Sequence, residues 1–103
     1  KYEFRYDFGT PPVINDAESS KRAERAVVRI LGADAVHECP PNGAEDFAYY
    51  LEKKPGYIAF VGSKKLDGKS YPLHHEKFDM PDDTLLNGAA LFAQYVLESQ
   101  DEI

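Results

Sequence analysis

With 103 residues, 43% of them hydrophobic and 29% charged, the chain has the composition of one ordinary globular domain, which excludes a disordered or membrane-spanning class. A formal charge of −6 repels nucleic-acid backbones, and the basic cluster Lys64, Lys65 and Lys69 around Asp67-Gly68 has no interleaved aromatic platform, so no nucleic-acid partner is expected. The single cysteine, Cys39, excludes an internal disulfide and hence a disulfide-stapled secreted domain; with no apolar run of membrane-spanning length and no signal-peptide pattern, no membrane association and a cytoplasmic location are expected.

The first residues read as the middle of a strand. Tyr2, Phe4, Tyr6 and Phe8 alternate with Lys1, Glu3, Arg5 and Asp7, the period of a strand with one buried and one wet face. Such a strand belongs to an antiparallel sheet, yet no second run with this alternation follows. A start at Lys1 without Met adds to the expectation of a piece of a longer protein. Gly9, Thr10, Pro11 and Pro12 break the strand as a linker would. Asn15 or Asp16 is expected to cap a helix, with Glu18 completing a capping box from Asn15. Ala23, Ala26, Val27, Ile30 and Leu31 form its apolar face, Lys21, Arg22, Glu24, Arg25 and Arg29 its charged one, and Gly32 its end.

A short strand is predicted over 35–38, followed by the turn-rich Cys39-Pro40-Pro41-Asn42-Gly43 loop. Glu45 and Asp46 fall in the first turn of a short helix with the apolar stripe Phe47, Tyr50 and Leu51, stopped by Pro55-Gly56. Acidic side chains favour a helix N-terminus, which explains this pair without catalysis. The continuous apolar run 57–61 reads as a strand buried on both faces in a parallel sheet. After a polar loop over 62–69 comes Ser-Tyr-Pro-Leu-His-His-Glu-Lys-Phe-Asp-Met, in which His74 and His75 stand together; imidazole is the commonest transition-metal ligand, although two loop histidines are also ordinary solvated groups. Asp82 or Asp83 is expected to cap a last helix whose stripe is Leu85, Leu86, Ala89, Ala90, Ala93, Val96 and Leu97, with a polar tail over 98–103. The order of elements predicts an α/β fold with a parallel component. Two short strands make a poor sheet, and the open aromatic strand offers a surface for self-association.

Four stretches carry a resemblance: Thr10-Pro11-Pro12-Val13-Ile14-Asn15-Asp16; Gly43-Ala44-Glu45-Asp46-Phe47-Ala48-Tyr49-Tyr50; Tyr71-Pro72-Leu73-His74-His75 with Phe78-Asp79; and Leu86-Asn87-Gly88-Ala89-Ala90-Leu91. In this order and spacing the chain resembles the C-terminal part of the M20 metallopeptidase family. Within it, the amidohydrolase branch is most similar: hippurate hydrolases, N-acyl-amino-acid amidohydrolases and auxin-conjugate hydrolases. The resemblance implies the C-terminal part of a mixed-sheet α/β catalytic domain preceded by a strand of an inserted lid domain. Residues 1–9 would be the last lid strand, 10–16 the crossover, and 17–103 the closing segment of the catalytic domain.

It further implies two divalent cations, zinc or manganese, that activate water for attack on the amide of a small N-acyl amino acid. Most of the ligands and the general base would lie in an N-terminal half that this chain lacks, leaving that half, or a second copy, as its partner. His74 matches the family's C-terminal metal ligand. His75 falls where the family varies and is a neighbouring or supporting group. Gly43 and Ala44 match a segment lining the substrate pocket, and Glu45 and Asp46 an acidic pair supporting it. Asn42 stands where Met is frequent and Glu76 where Pro is common, and both bear on substrate preference. The chain alone is expected to be inactive, because even a mononuclear catalytic zinc usually takes three protein ligands. The alternative expectation is a non-catalytic module that self-associates through residues 2–8.

Overall fold

The computed structural model describes residues 1–39 and 43–100, so Pro40, Pro41, Asn42 and the last three residues of the expected polar tail lie outside it. Among the described residues three helices carry the architecture: α1, Ala17–Leu31; α2, Ala48–Leu51; and α3, Asp82–Gln100. A 3-10 turn, Ala33–Ala35, follows α1.

The cap of α1 is Asp16, whose carboxylate accepts from the Ser19 N–H at 2.8 Å and supplies a partner for one of the four amides a helix start leaves open. Asn15, the other candidate, does something else. Its side-chain amide pairs with the backbone of Ile58 in both directions, Nδ2 donating to the carbonyl at 3.1 Å and Oδ1 accepting from the N–H at 2.9 Å. With Asp16 N–H donating to the Gly56 carbonyl at 2.9 Å, this brackets the start of α1 against residues 56–58. Gly32 ends α1 at φ 89°, a conformation that suits glycine, and its N–H donates to the Val28 carbonyl.

Helix α1 packs on α3 through polar contacts. The Arg22 guanidinium donates to the Tyr95 hydroxyl at 3.1 Å and lies over its ring, 5.3 Å from the centroid, while Tyr57 meets the same ring at 5.1 Å. Glu98, only 4% exposed, accepts from Gln94 Nε2 at 2.9 Å and reaches Arg29 Nε at 2.5 Å and Arg25 Nε at 3.5 Å. The row of arginines on α1 therefore sets how α3 is turned. Tyr95 and Glu98 face inward, whereas of the expected core stripe Leu85, Leu86, Ala89, Ala93, Val96 and Leu97 are exposed and Ala90 is half-buried.

The expected α/β mixed sheet is not found: among the described residues there is no strand. A strand is held by ladder hydrogen bonds to a neighbour, and alternation alone supplies a face, not a neighbour. Residues 1–8 make only local contacts, an Arg5–Asp7 ion pair at 2.9 Å and an edge-on Tyr6–Phe8 pair at 4.9 Å, and their aromatics are exposed. In 57–61 the Ile58 backbone is taken by Asn15. Over the predicted strand 35–38 the chain leaves a 3-10 turn, with Val36 N–H donating to the Ala33 carbonyl at 3.1 Å, and then has no regular structure.

Burial is correspondingly thin. The buried apolar side chains among the described residues are Ala23, Ala26 and Ala48. The accessible surface is 8953 Å², where a compact monomer of this mass exposes about 5,800 Å². The radius of gyration, 17.1 Å, exceeds the roughly 13 Å of a compact chain of this length.

Candidate functional site

The histidine loop is fastened at its base. Thr84 Oγ1, in the first turn of α3, donates to the Gly62 carbonyl at 3.0 Å, and the Lys65 ammonium pairs with the Asp79 carboxylate. Hydrogen bonding from Lys65 holds the Asp79 carboxyl below its ordinary value, and the same bond raises Lys65. Ser70 Oγ accepts from Lys65 N–H at 2.8 Å, which draws the two sides of 65–70 together.

Two turns in series form the tip. His75 N–H donates to the Pro72 carbonyl at 3.1 Å, and Phe78 N–H donates to the His75 carbonyl at 2.9 Å. His74 is the third residue of the first turn and has φ 69°, the left-handed region where a type II turn normally places glycine. It is the one non-glycine residue with positive φ among the described residues. Such a conformation costs energy and tends to persist at functional positions. The His74 side chain is exposed and makes no hydrogen bond or ion pair among the described residues. His75 is held: its ring stacks on Tyr71 at 4.6 Å and 22°, and its Nδ1 accepts from Lys77 N–H at 3.0 Å.

The segment expected to border a substrate lies against a hollow of about 1300 Å³, lined by Gly43, Ala44 and Glu45 together with His37, Cys39 and, from the histidine loop, Leu73. The structure thus brings Gly43, Ala44 and Glu45 to the lining of the same hollow as Leu73, the residue next to His74. His74, His75 and Asp46 do not line this space. Glu45 Oε1 accepts from Phe47 N–H at 3.2 Å, and the Asp46 carbonyl from Tyr49 N–H at 3.1 Å, so both shape the entry to α2. No three histidine, cysteine or acidic side chains group closely enough to hold a metal ion among the described residues. One exposed, unengaged imidazole fits the part of a single ligand in a site whose other donors come from elsewhere.

From the sequence Tyr71 stands only as the start of the histidine motif, with no role of its own, and His37 does not stand out. Tyr71 had a signal, an aromatic four residues before an imidazole with a proline between them; His37 had its place next to Glu38 and Cys39.

Residues 1–98 match the model of peptidase family M20/M25/M40, and the chain belongs to that family. Among its relatives is a Synechocystis sp. protein named "Probable hydrolase sll0100", 42% identical over 91 residues, covering 85% of this chain and 23% of that protein. N-acetyl-L-cysteine deacetylase of Bacillus subtilis is 33% identical over 106 aligned residues, covering 99% of this chain and 24% of its own length. IAA-amino acid hydrolase ILR1-like 2 of Arabidopsis thaliana is 29% identical over 89 residues, covering 85% and 20%. The chain therefore spans between a fifth and a quarter of these relatives. No solved structure matches it.

Proposed function

We propose that the chain is the C-terminal part of a metal-dependent amidohydrolase that releases an amino acid from a small N-acyl conjugate. The observation that carries this reading is His74, an unengaged imidazole held exposed at a left-handed turn corner in the motif where the family resemblance expects a ligand. Two of the relatives are named for hydrolysing amino acid derivatives, which supports the substrate class. In this reading a pair of divalent cations, zinc or manganese, supplies the activation of water. His74 contributes one ligand, and the backbone of Gly43 and Ala44 borders the substrate at the hollow. Glu45 supports that edge through its bond to Phe47 N–H.

A single imidazole does not make a catalytic site. The purified 103-residue chain is therefore expected to release no glycine from hippurate with zinc or manganese added, whereas a protein carrying this segment together with the remaining ligands turns it over and loses the activity on His74→Ala. Turnover by the chain alone would overturn this assignment.

A second reading has an observation of its own. Tyr2 and Phe8 are 95% and 90% exposed, an apolar row that solvent disfavours, and self-association would cover it. Serine at Phe4 and Tyr6 then lowers the sedimenting mass; an unchanged species in the double variant refutes pairing through this row.

A further inference from the structure

We propose that His75 is a positioning residue for His74: gripped by Tyr71 and the Lys77 amide, it holds the double turn that displays His74 and leaves His74 as the one imidazole of the pair free to take a metal. The inference rests on the reading of His74 as a ligand.

The first step is conformational. An L-residue with a Cβ is disfavoured at φ 69°, so contacts nearby must hold it there. Those contacts converge on one residue. His75 donates the N–H that closes the first turn and offers the carbonyl that closes the second. Its Nδ1 takes the Lys77 N–H at 3.0 Å, as an Asx side chain does for the amide two residues on. Tyr71, just before Pro72, stacks on the face of its ring at 4.6 Å, so the ring is gripped from both sides of His74 along the chain.

The second step is chemical. A neutral imidazole has one nitrogen with a proton and one with a free lone pair. Because Nδ1 of His75 accepts a hydrogen bond, its proton sits on Nε2, and the lone pair a cation would need is already engaged. Metal binding at His75 would break that bond, whereas His74 has no such bond to lose. Of the two adjacent histidines, the turn makes one a ligand and the other its holder.

The test uses the 103-residue chain labelled with 15N and 13C, at about pH 8, above the ordinary imidazole range. Ring nitrogen shifts report which nitrogen of His75 bears the proton, and the amide–α coupling with the Cα shift reports the φ of His74. The expected result is a proton on Nε2 of His75 and a left-handed His74. His75→Asn keeps an acceptor for Lys77 N–H and retains the left-handed signature; His75→Leu keeps bulk without an acceptor and loses it. Tyr95 ring signals, reporting on the α1–α3 contact, show that a variant is still docked.

A wild-type His74 without the signature, a proton on Nδ1 of His75, or a docked His75→Leu that keeps His74 left-handed each overturn the proposal. Zinc chloride is then added to the wild type. His74 ring signals are expected to respond at about tenfold lower zinc than those of His75, the equivalent of one hydrogen bond, and an equal response overturns the assignment of the pair. If the grip is present but zinc leaves the His74 signals unmoved, the ligand reading fails while the positioning stands.

Discussion

At His74 backbone strain and chemistry meet in one side chain. Replacing it with glycine removes the left-handed penalty, so His74→Gly is expected to stabilise the chain by about 1 kcal/mol in urea unfolding, against the usual sign for glycine. A loss of stability would mean that the ring makes contacts of its own. The adjacent histidines were legible as a metal-capable pair, and the motif around them pointed to His74. The resemblance also gave His75 a supporting part, but the means of that support was not legible, because it depends on the turn that His74 enters at φ 69° and on the ring contact with Tyr71.

Glu98 was read as the start of a polar tail, yet it is buried against α1. The Gln94 hydrogen bond lowers its carboxyl from the ordinary 4.5, and Arg29 and Arg25 add to this against the cost of desolvation. A lowered folded value means that the unfolded chain takes up the proton first. Its contribution is therefore complete above pH 4.5 and is lost as pH falls through the lower, folded value. Acid titration of the helical signal should show that limb in the wild type and a flatter one in Glu98→Gln.

Between elements, a side chain adds to the backbone bond from Asp16 N–H to the Gly56 carbonyl. Asn15 spans 43 residues to take both polar groups of Ile58, and Asn15→Ala is expected to cost about 1 kcal/mol, measured by urea unfolding. An unchanged midpoint would show that water replaces both bonds at no cost. Helices were legible because their hydrogen bonds close within four residues, so spacing and caps suffice; α1 starts and stops where Asp16 and Gly32 foretold. The expected strands at 2–8, 35–38 and 57–61 failed because their bonds require a second segment in register, which no pattern within the strand can provide. Helix α3 lies between these cases: the helix was legible, but its expected core stripe is largely exposed, and the charged side chains of α1 meet its opposite face.

Over the whole molecule, surface outweighs interior. With only three alanines as buried apolar side chains among the described residues, the hydrophobic term available to offset chain entropy is small. The 61 × 42 × 18 Å envelope is a plate whose thin dimension is less than two helix diameters of about 10–12 Å each. In a plate this thin an amide is protected chiefly by the bond it makes and by the partner that keeps that bond closed. Deuterium uptake should therefore resolve into two populations. Amides in α1 and α3 exchange together at one slow rate, because each helix is protected by the other through Arg22, Arg25, Arg29, Tyr95 and Glu98. Those of 1–14 and 62–80 exchange near the rate of an open chain, and Glu98→Gln should shift the slow population as a unit toward the fast one.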